Sequence, residues 1–299
     1  MASATYADSA PAPAPAKRRR RTPPVMPRAA WWGTSAALAV LFVYPIYVML
    51  QQSLKDPREA AQTPPTHYPH NPSFDNYTGL SNTGDINVFD HIGNSVLVSV
   101  GATIATVVLA TLGGYAFAKL RFPGSNLVFF ATLATFMIPF QAIITPLYIV
   151  LKDLGLQNSL LGLGLVYTTF NLPFGLFLMR NSFASVPGTL EEAALMDGCG
   201  TVGAMWRVML PVAVPGLITT ALFTFFASWN EFFAALILIS DQEQFTLPVT
   251  LTLISSGVFG SIDWGLLQAG VALTIIPCIV IYLLLQRYYV GGLLSGALK

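Results

Sequence analysis

Residues 181–211 read NSFASVPGTLEEAALMDGCGTVGAMWRVMLP, and they separate two long apolar stretches at about 158–179 and 212–239. Pro187 suits the first position of a helix, Glu191 and Glu192 fall where a first turn favours acids, and Gly198 and Gly200 can end it. A second short helix can start at Thr201 and is expected to end near Pro211, which has no N–H to give a preceding carbonyl. Val202, Met205, Trp206 and Met209 stand at i, i+3, i+4 and i+7 and should form one apolar face. The stretch, taken over about 183–211, thus predicts a helix, a glycine turn and an amphipathic helix.

The flanks fix the solvent. The chain of 299 residues is 54% hydrophobic and 10% charged, with a mean hydropathy of +0.61, against about 25% charged residues in ordinary soluble domains. So little charge cannot cover a water-facing surface, and lipid is the expected surrounding. Six apolar stretches, about 31–51, 93–117, 128–150, 158–179, 212–239 and 266–286, are each long enough to cross a membrane, since about 20 helical residues span a hydrocarbon core of about 30 Å. Lipid leaves backbone groups no partner outside helices and closed barrels. The expected fold class is therefore all-α, a polytopic membrane protein of six transmembrane helices.

Residues 1–28 are rich in Ala, Pro and Ser and carry Lys17, Arg18, Arg19, Arg20, Arg21 and Arg28, so a disordered basic cytoplasmic tail is expected there, followed by one six-span domain over 29–299. The stretch Trp31–Gln51 is too long for the apolar part of a secretory leader and shows no small-residue cleavage site after it, which predicts an uncleaved first span. With the N-terminus inside, twelve Lys and Arg lie on that side, and three, Lys55, Arg58 and Lys152, lie on the other. That asymmetry predicts a cell-membrane protein with both termini in the cytoplasm, and it puts the 183–211 loop there too.

Several chemistries are not expected. Cys199 and Cys278 fall in a loop and a span, which suggests no disulfide, and His67 with His70 is a weak zinc pattern without further ligands. No G-x-x-x-x-G-K phosphate loop is present, so no ATP site of that kind is predicted. No catalytic group, metal, cofactor or nucleic-acid partner is expected.

The run Glu192, Ala193, Ala194, three residues, Gly198, nine residues, Val208, one residue, Leu210, Pro211 resembles the EAA loop of binding-protein-dependent ABC importer permeases, with Val where that family often has Ile. NSVLVSVGATIATVVLATLGGYAFAKLRFPG, the MIPFQ of span three, the SWNEFF of span five and the terminal LLQRYYVGGLLSGALK are similar to the smaller permease subunit of maltose-type carbohydrate importers, over roughly residues 30–299. The resemblance implies a type I ABC importer permease fold that forms part of a translocation path for a sugar. It implies as partners a second, different permease subunit, a dimer of cytoplasmic ABC ATPase subunits, an extracytoplasmic solute-binding protein and membrane lipid. It also implies that Glu191, Glu192, Ala193, Ala194, Asp197, Gly198, Leu210 and Pro211 couple the chain to the ATPase, which hydrolyses the ATP.

Polar residues at membrane depth face a bundle interior or a pathway, because lipid cannot satisfy them. Gln141 in span three, Asn171 in span four, and Asn230 with Glu231 in span five are the candidates for a solute path, and Gln268 begins span six. Each also fits an interhelical hydrogen bond. An ion-coupled secondary transporter of a polar solute is the alternative, although it usually shows more intramembrane charge and internal repeats. A membrane enzyme would need a paired acid and base, a metal cluster or an activated nucleophile, and none stands out.

Overall fold

A computed structural model describes residues 27–83, 86–258, 260 and 262–297. Of the expected tail all but its last two residues lie outside these, as does Lys299 of the charge count. The chain divides into two compact units, Met1–Ile46 and Tyr47–Lys299. The first holds most of α1 (Arg28–Ser53), which is long and apolar enough to cross a membrane.

The second unit opens with the end of α1 and an irregular segment carrying α2 (Pro57–Ala60) and α3 (Asp75–Gly79). Lys55 organises this segment from a buried position, donating from Nζ to Gln52 Oε1 at 2.6 Å and to the Thr66 carbonyl at 2.7 Å. Asn76 Nδ2 donates to the carbonyls of Ser53 and Lys55. Burial pulls the Lys55 ammonium below the ordinary lysine range, against the opposing pull of Glu59.

The helices that follow are α4 (Val88–Lys119), α5 (Ser125–Thr135), α6 (Phe140–Asp153), α7 (Leu160–Ser185), α8 (Gly188–Met196), α9 (Thr201–Ala204), α10 (Leu210–Trp229), α11 (Phe233–Leu238), α12 (Leu247–Ser255) and α13 (Trp264–Ala297). No strand occurs among the described residues. Five helical runs, α1, α4, α7, Thr201–Trp229 and α13, are long and apolar enough to span a membrane. A sixth span results if α5 and α6 count as one.

Two expected spans are not continuous helices. The stretch 128–150 is bent by 100° between α5 and α6. Pro139 caps α6 in an extended conformation, φ −60° and ψ 126°; it has no N–H for the helix before it and disfavours the helical region for Ile138. The stretch 212–239 breaks after Trp229 and resumes at Phe233. A side chain caps the resumed helix, as described below.

The core of the unit is the mutual packing of α4, α7 and α10, with α13 against α10. α4 and α7 approach closely enough that a Cβ on Gly114 would stand 2.6 Å from Met179 Cβ and 2.8 Å from the Arg180 backbone nitrogen. Small residues at such a crossing let backbones meet, which is how helices gain contact where lipid supplies no hydrophobic drive. Toward the 183–211 loop the core is Tyr115, Met179, Phe183, Met205 and Met209; toward the other side it is Phe225, Trp229, Leu247 and Leu251.

Candidate functional site

The 183–211 loop forms from the residues the sequence singles out, with three differences. Pro187 is the N-cap of α8 rather than its first residue. Gly198 is left-handed at φ +87°, and Cys199 N–H donates to the Ala194 carbonyl while Gly198 N–H donates to Leu195. This is a glycine C-cap of the Schellman type, and its φ explains the glycine. The second helix does not end near Pro211. It passes through a π turn at Met205–Met209 into α10, so that Thr201–Trp229 is one long helical run. The i→i+5 pattern of the π turn, with Leu210 N–H on the Met205 carbonyl, takes up the register change just before Pro211. The same turn splits the expected apolar face: Met205 and Met209 are buried, while Val202 and Trp206 are exposed. A wider turn rotates side chains less per residue, so i+3 and i+4 no longer share one stripe.

The two carboxylates of α8 have different surroundings. Glu191 accepts a hydrogen bond from the Tyr115 hydroxyl of α4. Glu192, Ala193, Asp197 and Gly198 are exposed, and Ala194 is buried against the spans. Lys119, one turn beyond Tyr115, donates from Nζ to the Val186 carbonyl at 2.7 Å. Leu210 is buried and Pro211 exposed at the start of α10.

At membrane depth a cavity of about 760 Å³ brings together Gln141, Asn171 and Glu231. Phe140, Phe170 and Phe233 contribute aromatic wall, with Phe140 and Phe170 edge to face at 4.5 Å. Glu231 is the one charged side chain among its lining residues. Glu231 Oε1 accepts from the Ala234 N–H at 2.8 Å, and Oε2 from the Ala235 N–H at 3.2 Å and the Tyr167 hydroxyl at 2.8 Å. The carboxylate thus caps the first turn of α11, where orphan N–H groups and the helix dipole favour an anion. It stands where span five resumes after its break.

Asn230 does not join this group. Its Nδ2 donates to the Phe226 carbonyl of its own helix, and it lines a separate hollow with Trp229 and Leu247. Gln268, at the start of the last span, is not among the cavity residues either. Tyr167 is the residue that sequence reading missed. A signal existed: it stands four residues before Asn171 on α7, hence on the same face.

The family described as binding-protein-dependent transport system inner membrane component matches residues 93–293. The chain belongs to that family. The permease is 32% identical over 266 residues to the diacetylchitobiose uptake system permease protein DasC of Streptomyces coelicolor, covering 89% of this chain and 95% of that one. It is 34% identical to the trehalose transport system permease protein SugB of Mycobacterium tuberculosis, covering 88% and 93%. It is 30% identical to the trehalose/maltose transport system permease protein MalG of Thermococcus litoralis, again covering 88% and 93%. Its fold matches a chain of a bacterial ABC transporter involved in the import of the acidic polysaccharide alginate, with a TM-score of 0.73 at 24% identity, over 90% of this chain and all of that one. The permease is therefore a multi-pass membrane component of a binding-protein-dependent transporter, with the fold of an ABC importer permease. Its part is translocation.

Proposed function

We propose that the permease conducts a sugar through the cavity at Gln141, Asn171 and Glu231, driven by ATPase subunits that dock on α8. The observation that carries the docking is the split between the two α8 carboxylates. Glu191 faces inward to Tyr115, whereas Glu192 is exposed beside Ala193 and ahead of the left-handed Gly198. A charged side chain next to small residues on an exposed helix edge suits close approach by a partner with a basic group. Leu210 and Pro211 belong to the same unit as the place where the loop becomes a span.

The reading places α8 and both termini in the cytoplasm, with residues 1–28 as a basic tail and 29–299 as one permease domain. A second, different permease subunit completes the path, two ATPase subunits hydrolyse the ATP, and an extracytoplasmic binding protein delivers the solute. The sugar transporters among its relatives support the class of solute. The one charged lining side chain, a carboxylate, disfavours an anionic solute, and a neutral sugar meets no such repulsion.

Glu192→Lys and Gly198→Asp test the docking. Both variants should insert and pair with the sister permease, yet lose the ATPase on co-purification and lose uptake in the same membranes. Retention of the ATPase and of full uptake by both would overturn the assignment of α8.

A further inference from the structure

α4 differs from every other candidate span. α1, α6, α7, α10 and α13 each contain a proline, at Pro45, Pro146, Pro173, Pro215 and Pro277, whereas the 32 residues of α4 run without one. Proline is the commonest cause of a sharp kink. Of its four glycines Gly93 and Gly101 stand singly, and the adjacent pair Gly113–Gly114 has α7 against it: an added Cβ would meet Leu176 at 2.5 Å and Met179 at 2.6 Å. The result is a stiff rod about 48 Å long.

Both ends of the rod are gripped by polar bonds. At one end Tyr115 and Lys119, on one face of the helix, hold the Glu191 carboxylate and the Val186 carbonyl on either side of the Pro187 corner. Hydrogen bonds to an ionised group are the stronger kind. At the other end Asn94 Nδ2 donates to the carbonyls of Glu243 and Phe245, Leu247 N–H donates to Ser95 Oγ at 2.7 Å, and His91 Nδ1 meets Thr250 Oγ1 at 2.6 Å in a buried position. The segment 243–250 is therefore fastened to the same helix as α8, from the opposite side of the membrane.

We propose that α4 is a strut that carries displacement of α8 across the membrane to the segment 243–250, with Tyr115 and Lys119 as its positioning residues. The proposal rests on the docking of the ATPase at α8 given above. A push on α8 reaches the rod through Glu191 on α8 itself and through Val186 just ahead of it, and it meets no proline hinge in which to be absorbed.

The test is amide hydrogen exchange on the whole permease–ATPase complex in lipid nanodiscs, with and without the non-hydrolysable ATP analogue AMP-PNP. The wild type should change exchange at both 188–196 and 243–250. Tyr115→Phe and Lys119→Met should keep the change at 188–196 and reduce that at 243–250 by about tenfold or more, the loss expected from a bond to a charged group. Thr219→Val, which removes only a hydroxyl bonded to its own helix at Pro215, should behave as wild type. A full response at 243–250 in both variants, or none there in the wild type, would overturn the strut. Absence of any response at 188–196 in the wild type would instead overturn the docking.

Discussion

Tyr167 on α7 donates its hydroxyl to Glu231 at 2.8 Å, across 64 residues of sequence, and the acceptor is the carboxylate that caps α11. One contact therefore ties the fourth span to the break in the fifth, in the wall of the membrane cavity.

Glu231→Ala removes an acceptor used by three donors, the N–H groups of Ala234 and Ala235 and the Tyr167 hydroxyl. A buried donor left unpaired costs about 1–3 kcal/mol, so the variant should melt at a lower temperature in detergent and transport poorly. Glu231→Gln keeps one acceptor oxygen and should lie between it and the wild type. Unchanged melting and uptake in a well-expressed Glu231→Ala protein would remove this residue from both the cap and the path.

The glycine C-cap of α8 predicts an order among substitutions. Nothing lies within 4 Å of a Cβ built on Gly198, so the penalty is conformational rather than steric. A left-handed residue with a side chain costs roughly 1–2 kcal/mol, and asparagine bears it best. Retention of the ATPase on co-purification should fall in the order Gly198, Gly198→Asn, Gly198→Ala, Gly198→Val. A valine variant as good as the asparagine variant would contradict the order.

The orientation predicts the labelling of Cys199, a free thiol on the α8 side. A membrane-impermeant maleimide should fail to label it in intact cells and should label it in inside-out vesicles. Labelling in sealed intact cells would reverse the proposed topology.

The segment after α1 should respond to acid. The His70 side chain, bonded at 2.8 Å, and then Thr66 and the His70 N–H hold the Glu59 carboxyl below the ordinary carboxylate range, against the contrary effect of burial. A carboxyl with a depressed folded value adds stability that is complete above the unfolded value of about 4.3 and is lost as pH falls through the folded one. Melting temperature should therefore drop between pH 5 and pH 3, and drop less in His70→Ala. Equal pH profiles would exclude the pair as a contributor.

The spans were legible because lipid enforces their length and apolarity, and all six stretches from Trp31 to Gln286 contain helix in the structure. The EAA run was legible because Glu192 and Gly198 fall at fixed spacing within one short loop. The breaks were harder. Pro146 and Pro173 sit inside helices while Pro139 stands at the break between α5 and α6, and proline alone does not say which will happen. At the break by Asn230 the Glu231 side chain caps Ala234 and Ala235, a choice between capping and lining that composition does not reveal. Partners such as Tyr115 for Glu191, 76 residues away, follow only from how α4 meets α8.

The enclosure of Lys55 bears on chemical footprinting. Its ammonium is occupied by Gln52 and Thr66 and its side chain is buried, whereas Lys152 at the end of α6 is exposed. Two lysines that count equally in a tally of charge are thus unequal to an acylating reagent or to trypsin. The enzyme will meet Arg58 before it meets Lys55, and an amine-directed label will mark the end of α6 while passing over the end of α1.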